Sequence, residues 1–327
     1  MKTEVLRMLK EAEGYISGQE ICEKFNVSRT AVWKVIKQLE TEGYLIEAVR
    51  NKGYRLKMAG DILSRAEIES SMNTKWAGKK VLYFDETGST NTEAKQAAEA
   101  GAPHGTLAVA DYQNMGKGRR GRMWTSPRGV GVWMSLMIRP EIHPSAASML
   151  TLVAALAVSE GIGKTCGLET QIKWPNDIVA DGKKICGILT EMSVEGETGA
   201  LQYIVLGIGV NVNQALDDFP EELRDLAGSV AMAAGHPIDR GRLAAEIINA
   251  VDAMYAGWKA GIRNAAQYRA DCATLGRQVR LIRGGLERTA FAEDVDDQFG
   301  LVVRYEDGTR ETVISGEVSV RGLEGYV

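Results

Sequence analysis

A seven-residue loop, GKGRRGR at 116–122, constrains this chain more than any other stretch. Its three glycines lack the Cβ atoms that would hold a ligand away from the backbone, and we expect them to allow positive φ angles. Its three arginines present planar guanidinium groups that match phosphate oxygens. The loop therefore predicts a clamp for a phosphate or a nucleotide. The alternatives are a solvated basic loop and a nucleic-acid patch.

The spacing of the glycines also matches the dinucleotide fingerprint G-x-G-x-x-G. That fingerprint requires a helix directly behind the glycines, whose N-terminal amides hold pyrophosphate. The residues that follow are instead Trp124, Thr125, Ser126 and Pro127. The context therefore argues against a Rossmann dinucleotide site.

A second segment, KWPND at 173–177, presents a carboxylate at a turn. Pro175 breaks the element that precedes it, so Asn176 and Asp177 are expected at the turn. Two apolar, strand-like runs follow in the sequence, Ile185–Leu189 and Tyr203–Asn213. Taken alone, each feature has an ordinary structural explanation, such as an exposed acid in a turn or asparagines at the end of a strand.

The first sixty residues have the pattern of a winged helix-turn-helix. Apolar spacing marks a first helix over 2–12, and Ser17 and Ser28 are N-cap candidates for two more helices. Two strand-like pieces then form the wing, 44–49 and 54–57.

The third of these helices has an apolar stripe on one side and polar residues on the other. The residues expected to contact DNA are Ser28, Arg29, Thr30, Trp33, Lys34 and Lys37. Residues 1–57 carry eleven Lys and Arg against eight Asp and Glu, a net charge of +3, whereas the rest of the chain carries −7. This asymmetry favours nucleic acid as the partner of the N-terminal part. A winged helix that binds protein is the alternative.

The remaining chain divides into a larger and a smaller part. Helical and strand patterns alternate over 64–272, after a linker-like stretch at 58–63. From residue 274 onward, short strand patterns separated by Gly and Asp turns predict a small β-barrel. The five predicted strands cover 278–282, 289–295, 301–305, 311–314 and 318–321.

Nothing in the sequence predicts secretion or a membrane anchor. The longest apolar stretch, Ala146–Val158, is shorter than the roughly 18 to 20 residues that span a bilayer, so we expect a buried helix. The amphipathic start lacks the pattern of a signal peptide. The four cysteines are scattered without a CxxC pair, which indicates neither a zinc site nor a disulfide framework. We therefore expect a cytoplasmic protein without membrane contact.

Several motifs in one order resemble the biotin protein ligases. They are GSTN at 88–91, YQ at 112–113, GKGRRGR, KWPND, GKKICGIL at 182–189 and GIGVNVN at 207–213. The N-terminal segment extends the resemblance to the bifunctional bacterial form, which also represses the biotin operon. The resemblance covers essentially the whole chain. One departure is Lys117, where the family loop often has Arg; the charge is kept, but bidentate hydrogen bonding is lost.

The resemblance implies an α/β (α+β) fold with three domains. They are an N-terminal winged helix-turn-helix DNA-binding domain (1–60), a central mixed-sheet catalytic domain of the biotinyl/lipoyl-ligase type (64–272) and a C-terminal SH3-like β-barrel (273–327). It also implies ATP and Mg²⁺ as cofactors and biotin as the substrate. The implied partners are a biotin carboxyl carrier protein, operator DNA and, with bound adenylate, a second copy of the chain.

Site residues are carried over by position in the matching motifs. For biotin they are Ser89, Thr90, Asn91, Gln113, Gly116, Lys117, Gly118, Arg119 and Lys184. For ATP or the adenylate they are Arg119, Arg122, Asn211 and Arg321, with Glu317 beside Arg321 in the GEVSVR run. Asp177 is implied as the Mg²⁺ ligand. The implied catalytic residues are Arg119, Asp177 and Lys184.

Three alternatives remain at this point. A ligase of the same fold could act on lipoate or octanoate, although the GSTN and GKGRRGR pair favours biotin. A ligand-sensing transcription factor could have lost the ligase activity, but Arg119, Asp177 and Lys184 are intact. A nucleic-acid-binding protein could use GKGRRGR as its contact patch, but it would not need KWPND.

Overall fold

The computed structural model of the chain describes residues 1–58, 60–262, 264–314, 319–322 and 326, and of Met58, Ser319 and Arg321 it describes the backbone alone. The N-terminal part is the predicted winged helix-turn-helix. Its elements are α1 (Lys2–Glu11), α2 (Gly18–Phe25), α3 (Arg29–Thr41), β1 (Leu45–Val49) and β2 (Gly53–Met58). Strands β1 and β2 pair as an antiparallel wing.

Local signals in the sequence explain where these helices begin and end. The Ser17 side chain accepts the N–H of Glu20, and the Ser28 side chain accepts the N–H of Ala31, so both serines cap a helix as predicted. Asn26 ends α2 in the left-handed conformation, with φ at 51°. The apolar stripe of α3 is buried, and its polar face is left toward solvent.

The central part is a seven-stranded mixed sheet covered by helices. Its strands are β3 (Lys80–Phe84), β4 (Thr106–Ala110), β5 (Gly131–Ile138), β6 (Gln171–Lys173), β7 (Asp177–Ala180), β8 (Lys183–Val194) and β9 (Leu201–Asn211). The order is β3-β4-β5-β9-β8-β7-β6; β3 and β4 run parallel, and the other neighbours are antiparallel. Its helices are α4 (Arg65–Ser71), α5 (Thr90–Glu99), α6 (Ala147–Cys166), α7 (Val230–Ala234), α8 (Arg240–Lys259) and α9 (Ala265–Asp271).

Helix α6 is the central core helix. By length and composition it could cross a bilayer, yet most of it is buried in the same apolar core as the sheet and α8. Gly161 lets α8 approach closely, because a Cβ there would lie 2.6 Å from Cγ1 of Ile247. The predicted buried helix is confirmed, and it extends to Cys166, beyond the predicted end at Val158.

The C-terminal part contains the five predicted strands. They are β10 (Gln278–Arg283), β11 (Leu286–Val295), β12 (Leu301–Arg304), β13 (Arg310–Val313) and β14 (Ser319–Gly322). They form an antiparallel sheet in the order β13-β12-β11-β10-β14, and no pairing joins β13 to β14 within the described ranges. The sheet docks on the central part beside KWPND, where Nε1 of Trp174 donates to the carbonyl of Phe299 at 3.1 Å.

The N-terminal part is tied to the central part through α4. Ala66 belongs to the N-terminal apolar core, whereas Ile68 belongs to the central one. The side chain of Glu67 is 1% exposed and is held by Lys10 and by the hydroxyl of Tyr44, the latter at 2.6 Å. These contacts fix the orientation of the winged helix on the central sheet.

Candidate functional site

A cleft of about 340 Å³ lies on the central sheet, between the arginine loop, the KWPND turn and the edge of the C-terminal sheet. It is lined by residues from most of the sequence motifs. Among them are Ser89, Thr90, Asn91, Gln113, Lys117, Gly118, Arg119, Arg122, Asn176, Asp177, Lys184 and Asn211. The motifs that are far apart in the sequence are therefore neighbours in space.

The floor of the cleft is made of glycines on β8 and β9. A Cβ at Gly207 would lie 2.1 Å from Oδ1 of Asn91, and a Cβ at Gly209 would lie 2.6 Å from Nε1 of Trp124. Gly187 faces Gly209 across the strand pair, and its Cβ would also meet the Trp124 ring, at 3.0 Å. Glycine at these positions lets the side chains of Asn91 and Trp124 pack directly against the sheet.

The arginine loop is the tip of a hairpin. The N–H of Gly118 donates to the carbonyl of Arg122 at 2.7 Å, and the N–H of Trp124 donates to the carbonyl of Gly116 at 2.9 Å. Of the three glycines that could allow positive φ, only Gly121 adopts it (72°), and the other positive value in the loop falls on Arg120 (58°). Gly116 is required for space instead, since a Cβ there would lie 2.2 Å from the carbonyl oxygen of Trp124.

One end of the cleft is a buried network of neutral polar groups. Oε1 of Gln113 accepts the backbone N–H and the hydroxyl of Thr90, at 2.8 and 3.1 Å. The hydroxyl of Ser135 lies 2.7 Å from Oγ1 of Thr90 and donates to Oδ1 of Asn91 at 2.6 Å. These residues are at the start of α5, which begins at Thr90, two residues earlier than the sequence predicted. The N-terminus of α5 thus points polar groups at the cleft.

Glu191, on β8, holds the side chain of Asn91, which belongs to this network. It accepts Nδ2 of Asn91 at 2.7 Å and pairs with Nζ of Lys95 at 2.5 Å. Burial alone raises the pKa of Glu191, but the hydrogen bonds from Lys95 and Asn91 outweigh it, so the pKa is lowered. The carboxylate stays ionised and fixes the amide orientation of Asn91.

The other end of the cleft is charged. Oδ1 of Asp177 lies 2.6 Å from Nζ of Lys184, and Oδ2 accepts the hydroxyl of Tyr326 at 2.5 Å. Nη1 of Arg119 donates to Oδ1 of Asn176 at 2.7 Å. Burial lowers the pKa of Arg119, and the nearby Asp177 carboxylate opposes this shift. A guanidinium remains charged under these conditions, so Arg119 and Lys184 are two cations near the Asp177 carboxylate.

A single carboxylate is a suitable anchor for Mg²⁺ when a nucleotide is present. No group of three His, Cys, Asp or Glu side chains forms a metal cluster in the parts of the chain that the structure describes. Mg²⁺ bound with a nucleotide usually takes one or two protein carboxylates, phosphate oxygens and waters. The partly buried Asp177 beside Arg119 and Lys184 fits that donor set.

Five of the proposed site residues differ from the others in their contacts, in whether they line the cleft, or in whether the structure describes them. Gly116 is not among the lining residues, and Lys117 donates to the hydroxyl of Thr92 at 2.9 Å. Asn211 lines the cleft while its Nδ2 donates to the carbonyl of Gly228 at 3.1 Å, so it also holds the following loop. Arg321, in β14, pairs through its backbone with Arg280 of β10, and the side chain of Arg321 is not described. Glu317 lies outside the described residues.

Some site residues were missed by the sequence analysis. The indole of Trp124 lies across the glycine floor, with Nζ of Lys184 at 5.1 Å from its ring centroid. Gly207 and Gly209 are two residues apart in an apolar strand, so both lie on one face of it. This spacing could have predicted that other side chains pack closely on that face. Ser135 and Tyr326 carry no comparable signal.

The DNA-binding prediction concerns the solvent-exposed face of α3. Arg29, Thr30, Trp33, Lys34 and Lys37 are all exposed there. The Trp33 side chain is 52% exposed, which is unusual for a tryptophan without a partner surface. Ser28 serves as the N-cap of this helix, so its side chain is used structurally.

Comparisons with known proteins agree with this arrangement. Models described as the HTH domain, the Biotin/lipoate A/B protein ligase family and the Biotin protein ligase C terminal domain match residues 2–55, 83–211 and 274–321. The bifunctional ligase/repressor BirA of Bacillus subtilis is 45% identical over 256 residues, covering 78% of each chain. The protein of the same name from Escherichia coli is 30% identical over 312 residues, covering 94% of each chain.

A solved structure shares the fold of the central and C-terminal parts. It is a biotin protein ligase from Aquifex aeolicus in complex with biotin and ATP, with a TM-score of 0.64 and 28% identity. The match covers 75% of this chain and 99% of that one. With all three domain models in order and relatives of this identity and coverage, the chain belongs to the bifunctional ligase/repressor family of biotin protein ligases.

Proposed function

We propose that the protein is an ATP-dependent biotin protein ligase and a DNA-binding repressor of genes for biotin synthesis or transport. As a ligase it forms biotinyl-5'-AMP and transfers biotin to a lysine of a biotin carboxyl carrier protein, such as that of acetyl-CoA carboxylase. The two ends of the cleft carry this proposal. A neutral polar network around Thr90 and Gln113 and a charged cluster around Asp177 suit a ligand with an uncharged polar head and an anionic tail.

The reaction needs positioning and charge stabilisation more than covalent chemistry by the protein. A carboxylate cannot acylate an amine directly, because its oxygen is a poor leaving group at neutral pH. The carboxylate of biotin therefore attacks the α-phosphate of ATP, and pyrophosphate leaves. The lysine amine then attacks the acyl carbon, and AMP leaves. Both steps bring anionic groups together and require water to be excluded.

The charged end of the cleft supplies these functions. Arg119, oriented by Asn176, and Lys184, oriented by Asp177, hold the carboxylate and the α-phosphate. Arg122 contacts the phosphates from the other side of the loop. Bound Mg²⁺ on Asp177 would offset phosphate charge. For the nucleotide we assign Asn211 and, from the C-terminal part, Arg321.

The neutral end recognises the ureido ring of biotin. Ser89, Thr90, Asn91 and Gln113 supply hydrogen-bonding groups. Lys117 and Gly118 line the same cleft, and Gly116 lies against the amide of Gln113. Lipoate has no ureido ring, so it lacks the donors and acceptors that would pair with this polar end of the cleft. A site built for such hydrogen bonds discriminates by about 10⁴-fold or more against an analogue that lacks them. The network therefore supports biotin over lipoate within a family whose description includes both.

Biotin-dependent exchange of pyrophosphate into ATP tests the substrate, the nucleotide and the first step together. Asp177→Ala is expected to lose exchange through weaker metal and ATP binding. Asp217→Ala is a matched control, because that side chain is 93% exposed and does not line the cleft. Exchange with lipoate but not with biotin would contradict the substrate assignment. Ligand binding without any exchange would favour a sensor that lacks ligase activity.

For the repressor activity we assign the exposed face of α3 to operator DNA. A single winged helix makes too few contacts for strong specificity, so repression requires a dimer that presents two half-sites. Biotinyl-5'-AMP acts as the corepressor: it orders the arginine loop and lowers the entropic cost of joining two ligase domains. Carrier protein consumes the adenylate and thereby releases DNA. We propose a cytoplasmic location for the protein, because operator DNA and the carrier protein would both be met there.

Analytical ultracentrifugation with and without the adenylate tests the proposed switch. A smaller dimer dissociation constant is expected when the adenylate is bound. Equal constants in both conditions would rule out dimerisation as the means by which the ligand controls DNA binding.

A further inference from the structure

Tyr326 places its phenol hydroxyl at the carboxylate that the proposed function assigns to Mg²⁺. This hydroxyl donates to Oδ2 of Asp177 at 2.5 Å. The other carboxylate oxygen, Oδ1, lies 2.6 Å from Nζ of Lys184. Groups of the chain itself therefore engage both oxygens of Asp177.

Tyr326 is docked on the KWPND segment by more than this hydroxyl. Its ring lies under Nζ of Lys173, at 3.6 Å from the ammonium to the ring centroid, and Lys173 also donates to its backbone carbonyl. Lys173 is 7% exposed, so this cation–π contact is largely shielded from water. Three different groups of one residue thus contact the segment that carries Asp177, and Tyr326 itself lines the cleft.

The hydroxyl proton of Tyr326 occupies one lone pair of Oδ2 of Asp177. Mg²⁺ requires an oxygen ligand at about 2.0–2.1 Å in octahedral geometry. An ion that binds on this same lone pair must first displace the hydroxyl. We propose that Tyr326 is an internal competitor for the metal position on Asp177, displaced when a divalent cation binds with the nucleotide. The proposal rests on the assignment of Asp177 to the metal.

Tyr326→Phe tests this directly, because phenylalanine keeps the ring and the backbone carbonyl and loses only the hydroxyl. A hydrogen bond to a charged group contributes enough that its loss should tighten metal binding by about tenfold. The probe is Mn²⁺ titrated into the full-length protein with α,β-methylene-ATP, with free Mn²⁺ measured by electron paramagnetic resonance. Tyr305→Phe is the matched control, since its hydroxyl donates to Glu311 at 2.5 Å and it does not line the cleft.

The outcomes separate this proposal from the one it rests on. Tighter Mn²⁺ binding in Tyr326→Phe and in Tyr326→Ala, with no change in Tyr305→Phe, supports competition. Unchanged or weaker Mn²⁺ binding in Tyr326→Phe overturns it, provided that Asp177→Asn still abolishes binding. If Asp177→Asn binds Mn²⁺ like the unmodified protein, the metal assignment itself is wrong, and competition at Asp177 is wrong with it.

Discussion

Replacing Gly207 by alanine tests whether the floor of the cleft requires glycine. The new Cβ would lie 2.1 Å from Oδ1 and 2.9 Å from Cγ of Asn91, so one of the two residues must move. Asn91 is 4% exposed and is held by Ser135 at 2.6 Å and by Glu191 at 2.7 Å. Its displacement weakens a neutral and a charge-assisted hydrogen bond, which together contribute about 2–4 kcal/mol.

We therefore expect Gly207→Ala to lower the free energy of unfolding by about 2–4 kcal/mol and to weaken biotin binding. Chemical denaturation and calorimetric titration with biotin measure the two effects. Gly163→Ala is the control, because the nearest atom to its Cβ would be the carbonyl oxygen of Leu168 at 3.9 Å. It lies inside α6, where alanine is expected to stabilise by about 0.5–1 kcal/mol.

A double variant shows whether the clash itself is responsible. Removing the Asn91 side chain as well, in Gly207→Ala/Asn91→Ala, eliminates the close contact. The cost of the pair should then be clearly smaller than the sum of the two single costs. Additive costs would refute the reasoning, because they would mean that the alanine acts through something other than Asn91.

Three further outcomes are expected. Arg119→Gly should speed release of the adenylate, measured as its dissociation rate, and cause indiscriminate acylation of lysines; an unchanged rate would exclude the assigned role. The triple change of Arg29, Lys34 and Lys37 to Ala should abolish operator binding in a mobility-shift assay, while ligation persists; retained operator binding would place the DNA contact elsewhere. The pKa of Glu191 is lowered from 4.5 in the folded state, so its ionised carboxylate stabilises the fold above pH 4.5, and this stabilisation is lost as the pH falls through the pKa of the folded state. Glu191→Gln should therefore reduce the loss of unfolding free energy at acid pH. An unchanged pH profile of stability would contradict this.

The sequence predicted features that depend on local chemistry. Ser17 and Ser28 cap their helices because each acts through its own backbone neighbours. The turn predicted at Pro175 is present at 174–176 and holds Asn176, whereas Asp177, also predicted at the turn, is the first residue of β7. In contrast, the positive φ in the arginine loop fell on Arg120, because pairing between the two sides of the hairpin sets the backbone there.

The contacts that complete the site depend on tertiary packing. Ser135 becomes part of the polar network only because β5 pairs with β9 and brings it opposite Gly207, under the start of α5. Tyr326 reaches Asp177 across 149 positions of sequence. No local pattern encodes such contacts, so residue type and spacing could identify the ligand class and many of the polar residues that line the cleft, but not these two groups.

The stretch that joins the wing to the central sheet is also held by contacts between residues far apart in the sequence. Asp61, just after the wing, pairs with Nε of Arg240 at 2.8 Å, and Nη1 of Arg240 pairs with Asp111 at 2.8 Å. Asp61 also accepts Nδ2 of Asn213 at 3.0 Å. Asp111 precedes Gln113 by two residues, and Asn213 follows the cleft residue 211 by two. Because the side chain of Arg240 is only 6% exposed, its loss would leave the carboxylates of Asp61 and Asp111 without the cation that they share. The stretch that leads from the wing is thus tied to side chains beside the cleft-lining residues 113 and 211, so the proposed coupling of ligand to DNA binding has a short physical link in addition to the proposed dimerisation.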